Sequence, residues 1–186
     1  MKIKTILIAT IAILSLSTGF AHAQTSTLGN KKVLIAYFSR TNNTKQVAEN
    51  IQSFIGGDFF RIETEKDYPS EYHPATEVAK KEKEDNARPA LKEQVNNIDQ
   101  YDVIFVGFPI WWSDTPMAIA TFLETHNLKG KTVIPFCSHG GGGVGEAFNR
   151  VKSLTPDATN LEGLVVSGNG SKKSVENWLK KIEILK

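Results

Sequence analysis

Disulfides and a strong net charge are both missing from this sequence. Cysteine occurs once, at Cys137, so no internal disulfide can form and a disulfide-stapled scaffold is excluded. The 22 Lys and Arg residues nearly balance the 20 Asp and Glu residues, and they form no basic tract, which argues against nucleic acid as a partner. What remains is an ordinary globular composition, 40% hydrophobic and 23% charged over 186 residues, which predicts one domain with a packed core.

Long hydrophobic runs are also lacking, since none approaches the ~20 residues that a membrane-spanning helix needs. An uncharged apolar run at 6–20 follows a basic start and is followed by Ala21-His22-Ala23, a pattern typical of a secretory signal peptide. We therefore expect a signal peptide over 1–23, a linker over 24–31, and export to the periplasm or the exterior, with no stable membrane anchor after cleavage. A retained anchor is the less favoured alternative.

Short β-branched runs alternate with longer amphipathic segments in the rest of the chain. The predicted strands are 33–38, 59–62, 103–108, 132–136 and 161–166. The first helix is expected to stop at Gly56-Gly57, and a charged second helix over 76–97 to be kinked or split at Arg88-Pro89. Such alternation predicts five parallel strands with helices on both faces, a three-layer α/β sandwich in a single domain over 32–186.

Ligands of open parallel sheets bind beyond the carboxyl ends of the strands, so three loops are candidates for the site. The first loop, 39–44, carries three hydroxyls and two amide side chains directly before a helix. Helix N-termini attract anions, which favours phosphate, although an ordinary polar turn has the same composition. Its position after the first strand favours the phosphate interpretation.

The second loop, 109–114, contains the adjacent pair Trp111 and Trp112 at the end of the third strand. A flat aromatic ligand would explain one of them, whereas the other is expected to cap the core. The third loop, 138–145, is rich in glycine and either lines the same crevice or is a flexible connection. His139 gives no metal site or catalytic triad, since no partner motif accompanies it.

Taken together, the three loops resemble those of the flavodoxin-like family, in particular bacterial flavodoxins of the short-chain type. The resemblance covers 32–186, includes the Tyr68-Pro69 and Arg88-Pro89 landmarks of one bacterial branch, and implies the strand order 2-1-3-4-5 with FMN bound without a metal. By this resemblance, residues of the first loop would hold the FMN phosphate, those of the second would contact the isoalloxazine ring, and those of the third would lie along its other side. These residues are Ser39, Arg40, Thr41, Asn42, Asn43, Thr44, Pro109, Ile110, Trp111, Trp112, Ser113, Ser138, His139, Gly140 and Gly141.

The sequence departs from the family pattern in three places. Asn42 replaces the usual glycine of the phosphate loop, which is tolerable because Asn enters the left-handed backbone region more readily than other residues. The third loop has no Tyr or Trp to cover the second flavin face. The balanced charge of the predicted mature chain does not favour the very low potential expected of a strongly acidic flavodoxin.

The resemblance implies an FMN-binding oxidoreductase or electron carrier with no catalytic side chain of its own, and the signal-peptide pattern adds that it is exported. Its partner would be a redox protein or a small-molecule electron acceptor. One alternative is an FMN-dependent NAD(P)H quinone or nitro-compound reductase. Another is a flavodoxin fold that has lost its cofactor and acts as a binding module.

Overall fold

The structure is a computed structural model that describes residues 26–186. The predicted signal peptide, 1–23, lies outside the described residues. Within the described part of the chain, no helix is both long and apolar enough to cross a membrane.

Strands and helices alternate along residues 26–186 as the sequence pattern predicts. The strands are β1 (Val33–Tyr37), β2 (Asp58–Arg61), β3 (Val103–Pro109), β4 (Thr132–His139), β5 (Thr159–Asn160) and β6 (Leu164–Ser167). The helices are α1 (Asn43–Ile55), α2 (Tyr72–Glu84), α3 (Met117–Thr125), α4 (Ala147–Leu154) and α5 (Lys172–Lys181), with a short 3-10 turn at Ile98–Gln100.

One parallel sheet with strands in the order β2-β1-β3-β4-β5 forms the middle layer, and β6 also pairs with β4. The central strands β1 and β3 are apolar and buried on both faces, which explains their continuous hydrophobic runs. One face packs against α1 and α5, and the other against α3 and α4, with α2 beside α3. The predicted three-layer sandwich and its strand order are confirmed.

The second helix differs from its prediction at both ends. It spans Tyr72–Glu84, with Pro74 in the first turn, where its missing N–H is not needed. The helix stops at Asn86, a left-handed residue with φ of 48°, where the N–H of Ala87 donates to the carbonyl of Glu82. The prediction of a kinked or split helix reaching 97 was therefore wrong, because Asn86 ends the helix before Arg88-Pro89.

The predicted fifth strand, 161–166, was also wrong in detail, since β5 and β6 are separated by Leu161–Gly163. These three residues face only Ile134 and Pro135 of β4. The carbonyl of Val133 accepts a hydrogen bond from the N–H of Leu161. Alternate residues of a strand direct their backbone groups to the same side, so Pro135 also faces the 161–163 segment, but it has no N–H to donate. The proline therefore interrupts the ladder and produces a bulge between two short strands.

Part of the segment predicted as a linker, 24–31, packs against the domain. Ser26 forms an antiparallel bridge with Leu185, and the N–H of Thr27 donates to the carbonyl of Ile184 over 3.0 Å. Leu28 is buried in the core cluster that α1 and α5 share. The chain is thus held to the domain from Ser26 onward.

Candidate functional site

The carboxyl ends of β1, β3 and β4 bring the three loops to one edge of the sheet. β3 lies between the other two, and the register pairs Tyr37 with Gly107 and Pro109 with Ser138. The first, second and third loops therefore begin side by side, at the position where parallel sheets bind ligands.

A crevice of about 780 Å³ lies between these loops, which is within the usual range for small-molecule sites. Most of the candidate residues line it: Ser39, Arg40, Thr41, Asn43, Thr44, Pro109, Ile110, Trp111, Trp112, Ser138, His139 and Gly140. Asn42, Ser113 and Gly141 belong to the same loops but do not line the crevice. The phosphate, tryptophan and glycine motifs thus share one cavity.

The first loop turns into α1 through Asn42, whose φ of 64° is left-handed. Asn tolerates this conformation, which explains how it can stand where the related family usually has glycine. The first N–H groups of α1 have no partner within the helix and carry the positive end of its dipole. Since the N–H of Lys45 donates to Ser39 Oγ over 3.3 Å, the loop wraps closely around the helix start.

A buried hydrogen bond joins the first loop to the third. Thr44 Oγ1 and Ser138 Oγ lie 2.9 Å apart, and both side chains are almost fully buried. Either hydroxyl can donate. The bond ties the start of α1 to the end of β4 across the floor of the crevice.

The two arginines near the first loop hold its backbone in place. The Arg40 guanidinium donates to the carbonyl of Ser70, in the segment before α2, over 2.5 Å. Arg61 donates to the carbonyl of Ser39 over 3.0 Å. Both bonds go to protein carbonyls, and the Arg61 guanidinium also pairs with the carboxylate of Glu63 over 3.5 Å.

Trp111 is the tryptophan that packs on the core. Its ring meets Phe38 edge-on at 5.3 Å and Tyr68 at 4.9 Å between ring centres. Such edge-to-face contacts stabilise an aromatic cluster beyond simple burial. Trp111 is half-buried and also lines the crevice, so it supports the wall from the core side.

Trp112 is the exposed tryptophan, with 45% of its surface accessible. Its indole N–H donates to the carbonyl of Thr76 over 2.9 Å, and Lys80 Nζ lies 5.5 Å from the ring centre. These contacts hold the indole against α2 at the rim of the crevice. The expectation that one tryptophan serves the core therefore applies to Trp111, and Trp112 presents the more accessible ring.

The third loop leaves its side of the crevice uncovered. A methyl group added at Gly140 or Gly142 would meet no atom within 4 Å. His139 turns back on the loop, since its Nδ1 accepts a hydrogen bond from the N–H of Gly141 at 2.9 Å. That acceptor role requires an unprotonated Nδ1.

Comparison of the sequence with known protein families supports the same assignment as the fold and the crevice. The family described as Flavodoxin matches residues 32–182. The chain belongs to the flavodoxin family. Among proteins with curated descriptions, none matches it.

Solved structures of flavodoxin-like proteins share the fold over most of this chain. A Bacteroides eggerthii protein, provisionally named a flavoprotein, is 38% identical with a TM-score of 0.72, covering 82% of this chain and 98% of its own. A Bacteroides uniformis protein with the same provisional name is 31% identical with a TM-score of 0.72, covering 81% and 98%. A flavoprotein of Lactobacillus acidophilus, solved in complex with FMN, is 21% identical with a TM-score of 0.67, covering 80% and 98%.

Sequence reasoning missed one wall of the crevice in this flavodoxin-family chain. α2 contributes Tyr72, His73, Ala75, Thr76, Glu77 and Ala79, and the end of β6 contributes Ser167 and Gly168. Helical periodicity could have placed Ala75 and Ala79 on one buried face. No local signal shows that α2 lies over the open end of the sheet, because its contacts with Trp112 are tertiary.

Ionisable groups beneath and behind the loops are held in fixed states. Burial raises the pKa of the Cys137 thiol to about 12, so this residue of β4 is an inert apolar side chain. The hydrogen bonds that Arg150 donates to the Asp114 carboxylate raise the pKa of the guanidinium, which remains a cation behind the second loop. Across residues 26–186, no group of three or more His, Cys, Asp or Glu side chains is placed to hold a metal ion.

Proposed function

We propose that this protein binds FMN in the crevice and uses it to transfer electrons between other molecules. The observation that carries the proposal is the convergence of the first loop, the tryptophan pair and the glycine-rich third loop on a single cavity of about 780 Å³. Membership of the flavodoxin family supports it, and so does the FMN complex of the Lactobacillus acidophilus flavoprotein, which shares the fold.

The residues of the crevice fit this nucleotide. Hydroxyls of Ser39, Thr41 and Thr44, together with the first N–H groups of α1, would hold the phosphate. Residues 109–112 would contact the isoalloxazine ring, and residues 138–140 would lie along its other side. Bound FMN supplies the redox chemistry, since it accepts electrons singly or as hydride.

The protein's own contribution is position and access. The Thr44–Ser138 bond and the packing of Trp111 hold two sides of the cavity fixed. The open third loop leaves room for an electron donor or acceptor to approach. FMN is the cofactor, and the partner is a redox protein or a small-molecule acceptor.

Titration of the apoprotein with FMN, followed by tryptophan fluorescence, tests the proposal. FMN should quench emission from Trp111 and Trp112, so most of the quenching should persist in Trp178→Phe. Trp178 is a matched control because it lies on α5, its indole N–H donates to the carbonyl of Glu162, and its ring packs into the core cluster on the opposite face of the sheet from Trp111. Riboflavin, which lacks the phosphate, should bind at least about tenfold more weakly if the first loop holds that group. Protein that neither copurifies with FMN nor binds it would refute the proposal and favour a cofactor-free binding module.

A second candidate, an FMN-dependent NAD(P)H quinone or nitro-compound reductase, is favoured by the open crevice. Gly140 and Gly142 leave space beside the third loop, and Tyr72 on α2 presents a ring that is 68% exposed. A substrate stacked over a flavin would need such room. Steady-state oxidation of NADH or NADPH with a quinone separates the two functions, because a carrier alone should be slow without a partner reductase.

Export is part of the proposal. Lys2 and Lys4, the apolar run at 6–20 and the Ala21-His22-Ala23 site support secretion with cleavage before Gln24. Amino-terminal sequencing of the exported protein should begin at Gln24. A sequence beginning at Met1 would contradict this.

A further inference from the structure

The second loop ends in a tight turn of unusual backbone conformation, here named the tryptophan turn (Trp111–Asp114). Trp111 and Asp114 exchange two backbone hydrogen bonds, of 2.9 and 3.0 Å. Trp112 and Ser113 between them both have positive φ, 51° and 58°. Turns of this kind normally use Asn or Gly at these positions, and a bulky residue such as Trp is strained there. Contacts from outside the turn must therefore stabilise it.

The main external contact is an ion pair between the buried Asp114 and the partly exposed Arg150 of α4. The side chain of Asp114 is 2% exposed, and its carboxylate accepts hydrogen bonds from both arms of the Arg150 guanidinium, at 2.8 and 2.5 Å. The same carboxylate accepts the backbone N–H of Thr115 at 2.8 Å. Two parallel bonds of this type fix direction as well as distance.

Two further contacts hold the peptide groups inside the tryptophan turn. Lys83 of α2 donates to the carbonyl of Trp112 over 2.6 Å. The N–H of Glu146 donates to the carbonyl of Ser113 over 2.8 Å. Gly145 lies so close that an added methyl carbon would stand 2.1 Å from the Ser113 carbonyl oxygen. The turn is thus held by Lys83 of α2, by Arg150 of α4, and by Gly145 and Glu146 where the third loop ends.

We propose that Arg150, through Asp114, is a positioning residue that keeps the tryptophan turn in its left-handed form, ready to contact the flavin. This inference rests on the proposed function, because it assigns the pair a role toward FMN. Removing the guanidinium leaves the buried carboxylate with the Thr115 N–H at 2.8 Å and the Lys83 ammonium at 4.0 Å, which do not fix its direction as the two-armed pair does. The turn can then relax to ordinary backbone angles. FMN binding would have to restore the strained form and would be weaker.

Arg150→Met tests the proposal by FMN affinity. The dissociation constant for FMN should rise on the order of tenfold. This factor corresponds to the free energy needed to return one relaxed residue to its strained backbone conformation when FMN binds. Arg150→Lys should recover part of the affinity, since it retains the charge but not the fork. The matched control is Lys131→Met, which removes a buried ammonium that donates to the carbonyls of Asp99 and Tyr101, outside the crevice and the tryptophan turn.

Rescue distinguishes positioning from general loss of stability. Glycine adopts positive φ without strain, so adding Ser113→Gly to Arg150→Met should return the affinity for FMN most of the way to the parent value. Hydrogen exchange at the Trp111 and Asp114 amides of the apoprotein gives a second readout that needs no flavin. Both amides should exchange faster in Arg150→Met and slow again in the double variant, whereas amides of β1 should not change.

Unchanged affinity and unchanged exchange in Arg150→Met would overturn the positioning role while the proposed function stands. Loss of affinity that Ser113→Gly does not restore would also overturn it. If the parent protein binds no FMN, the proposed function fails, and with it the role toward the flavin. The amide exchange would then still show whether Arg150 holds the turn.

Discussion

The hydrogen bond between Thr44 and Ser138 offers a direct test of how the site is held together. It joins the first and third loops inside the protein, with 2.9 Å between the hydroxyl oxygens. Thr44→Val keeps the shape of the side chain and removes its hydroxyl, and Ser138→Ala does the same from the other side. Each single substitution leaves one buried hydroxyl without its partner.

The expected loss of stability follows from leaving one buried hydroxyl without a hydrogen-bond partner. A buried polar group left unsatisfied costs about 1–3 kcal/mol, whereas replacing both partners by apolar groups can be nearly neutral. Each single variant should therefore unfold roughly 2–12 °C lower, given about 2–4 °C per kcal/mol for a chain of this size. The double variant should lose clearly less than the sum of the two.

Urea and thermal unfolding of the four proteins, followed by tryptophan fluorescence, complete the cycle. FMN affinity should also fall in the variants, because the first loop loses its tie to β4. Thr155→Val is the matched control: its hydroxyl is also buried, but it bonds the Val151 carbonyl and Asn160, outside the residues that line the crevice. That variant should lose stability and keep its FMN affinity. Single-variant losses that add within about 0.3–0.5 kcal/mol would show that the two hydroxyls are not coupled and would refute the reasoning.

Three further predictions concern the sheet and α2. Gly107→Ala in β3 should destabilise the protein by about 1–3 kcal/mol or more, because the new methyl carbon would lie 2.1 Å from the ring of Phe136; an unchanged urea midpoint would contradict this. Cys137, whose pKa burial raises to about 12, should react with iodoacetamide near pH 8 only as fast as the protein unfolds, so rapid labelling of the native protein would be inconsistent with the structure. Burial raises the pKa of the Glu82 carboxyl above its ordinary value of 4.5, despite the hydrogen bond that it accepts from the Tyr68 hydroxyl. The protonated carboxyl therefore stabilises the folded protein below pH 4.5, and this contribution is lost as the pH rises through the raised pKa. Glu82→Gln should therefore lose less stability than the parent between about pH 4 and pH 7 in urea titrations, and parallel profiles would count against this carboxyl.

The layered fold could be predicted from the sequence because its signals are local. Doubly buried strands such as Val33–Tyr37 have continuous apolar runs, and the helices between them repeat apolar residues with helical spacing. Parallel connections then allow few topologies. The same logic places the three loops at one end of the sheet, so most of the crevice residues could be named in advance.

The elements that were wrong depend on single residues whose effect is decided by their surroundings. Asn86 ends α2 in the left-handed region, whereas the sequence offered the more obvious breaker Pro89 three residues later. Pro135 interrupts the last ladder only because its side of β4 faces β5 and β6. Neither which asparagine adopts positive φ nor which neighbour a proline faces can be read from periodicity.

The backbone of the site itself shows most clearly where local reasoning ends. Asn42 and the pair Trp112–Ser113 all have positive φ, and all three belong to the loops around the crevice. Asn42 is consistent with local preference, so its role could be anticipated. Nothing in the preferences of Trp or Ser predicts a left-handed turn. Its conformation is explained by contacts from residues that are distant in sequence, namely Lys83, Glu146 and Arg150. A backbone conformation that its own residues disfavour persists only where contacts from the surrounding structure stabilise it. We therefore expect the tryptophan turn to be the part of the crevice that is most sensitive to substitutions outside it.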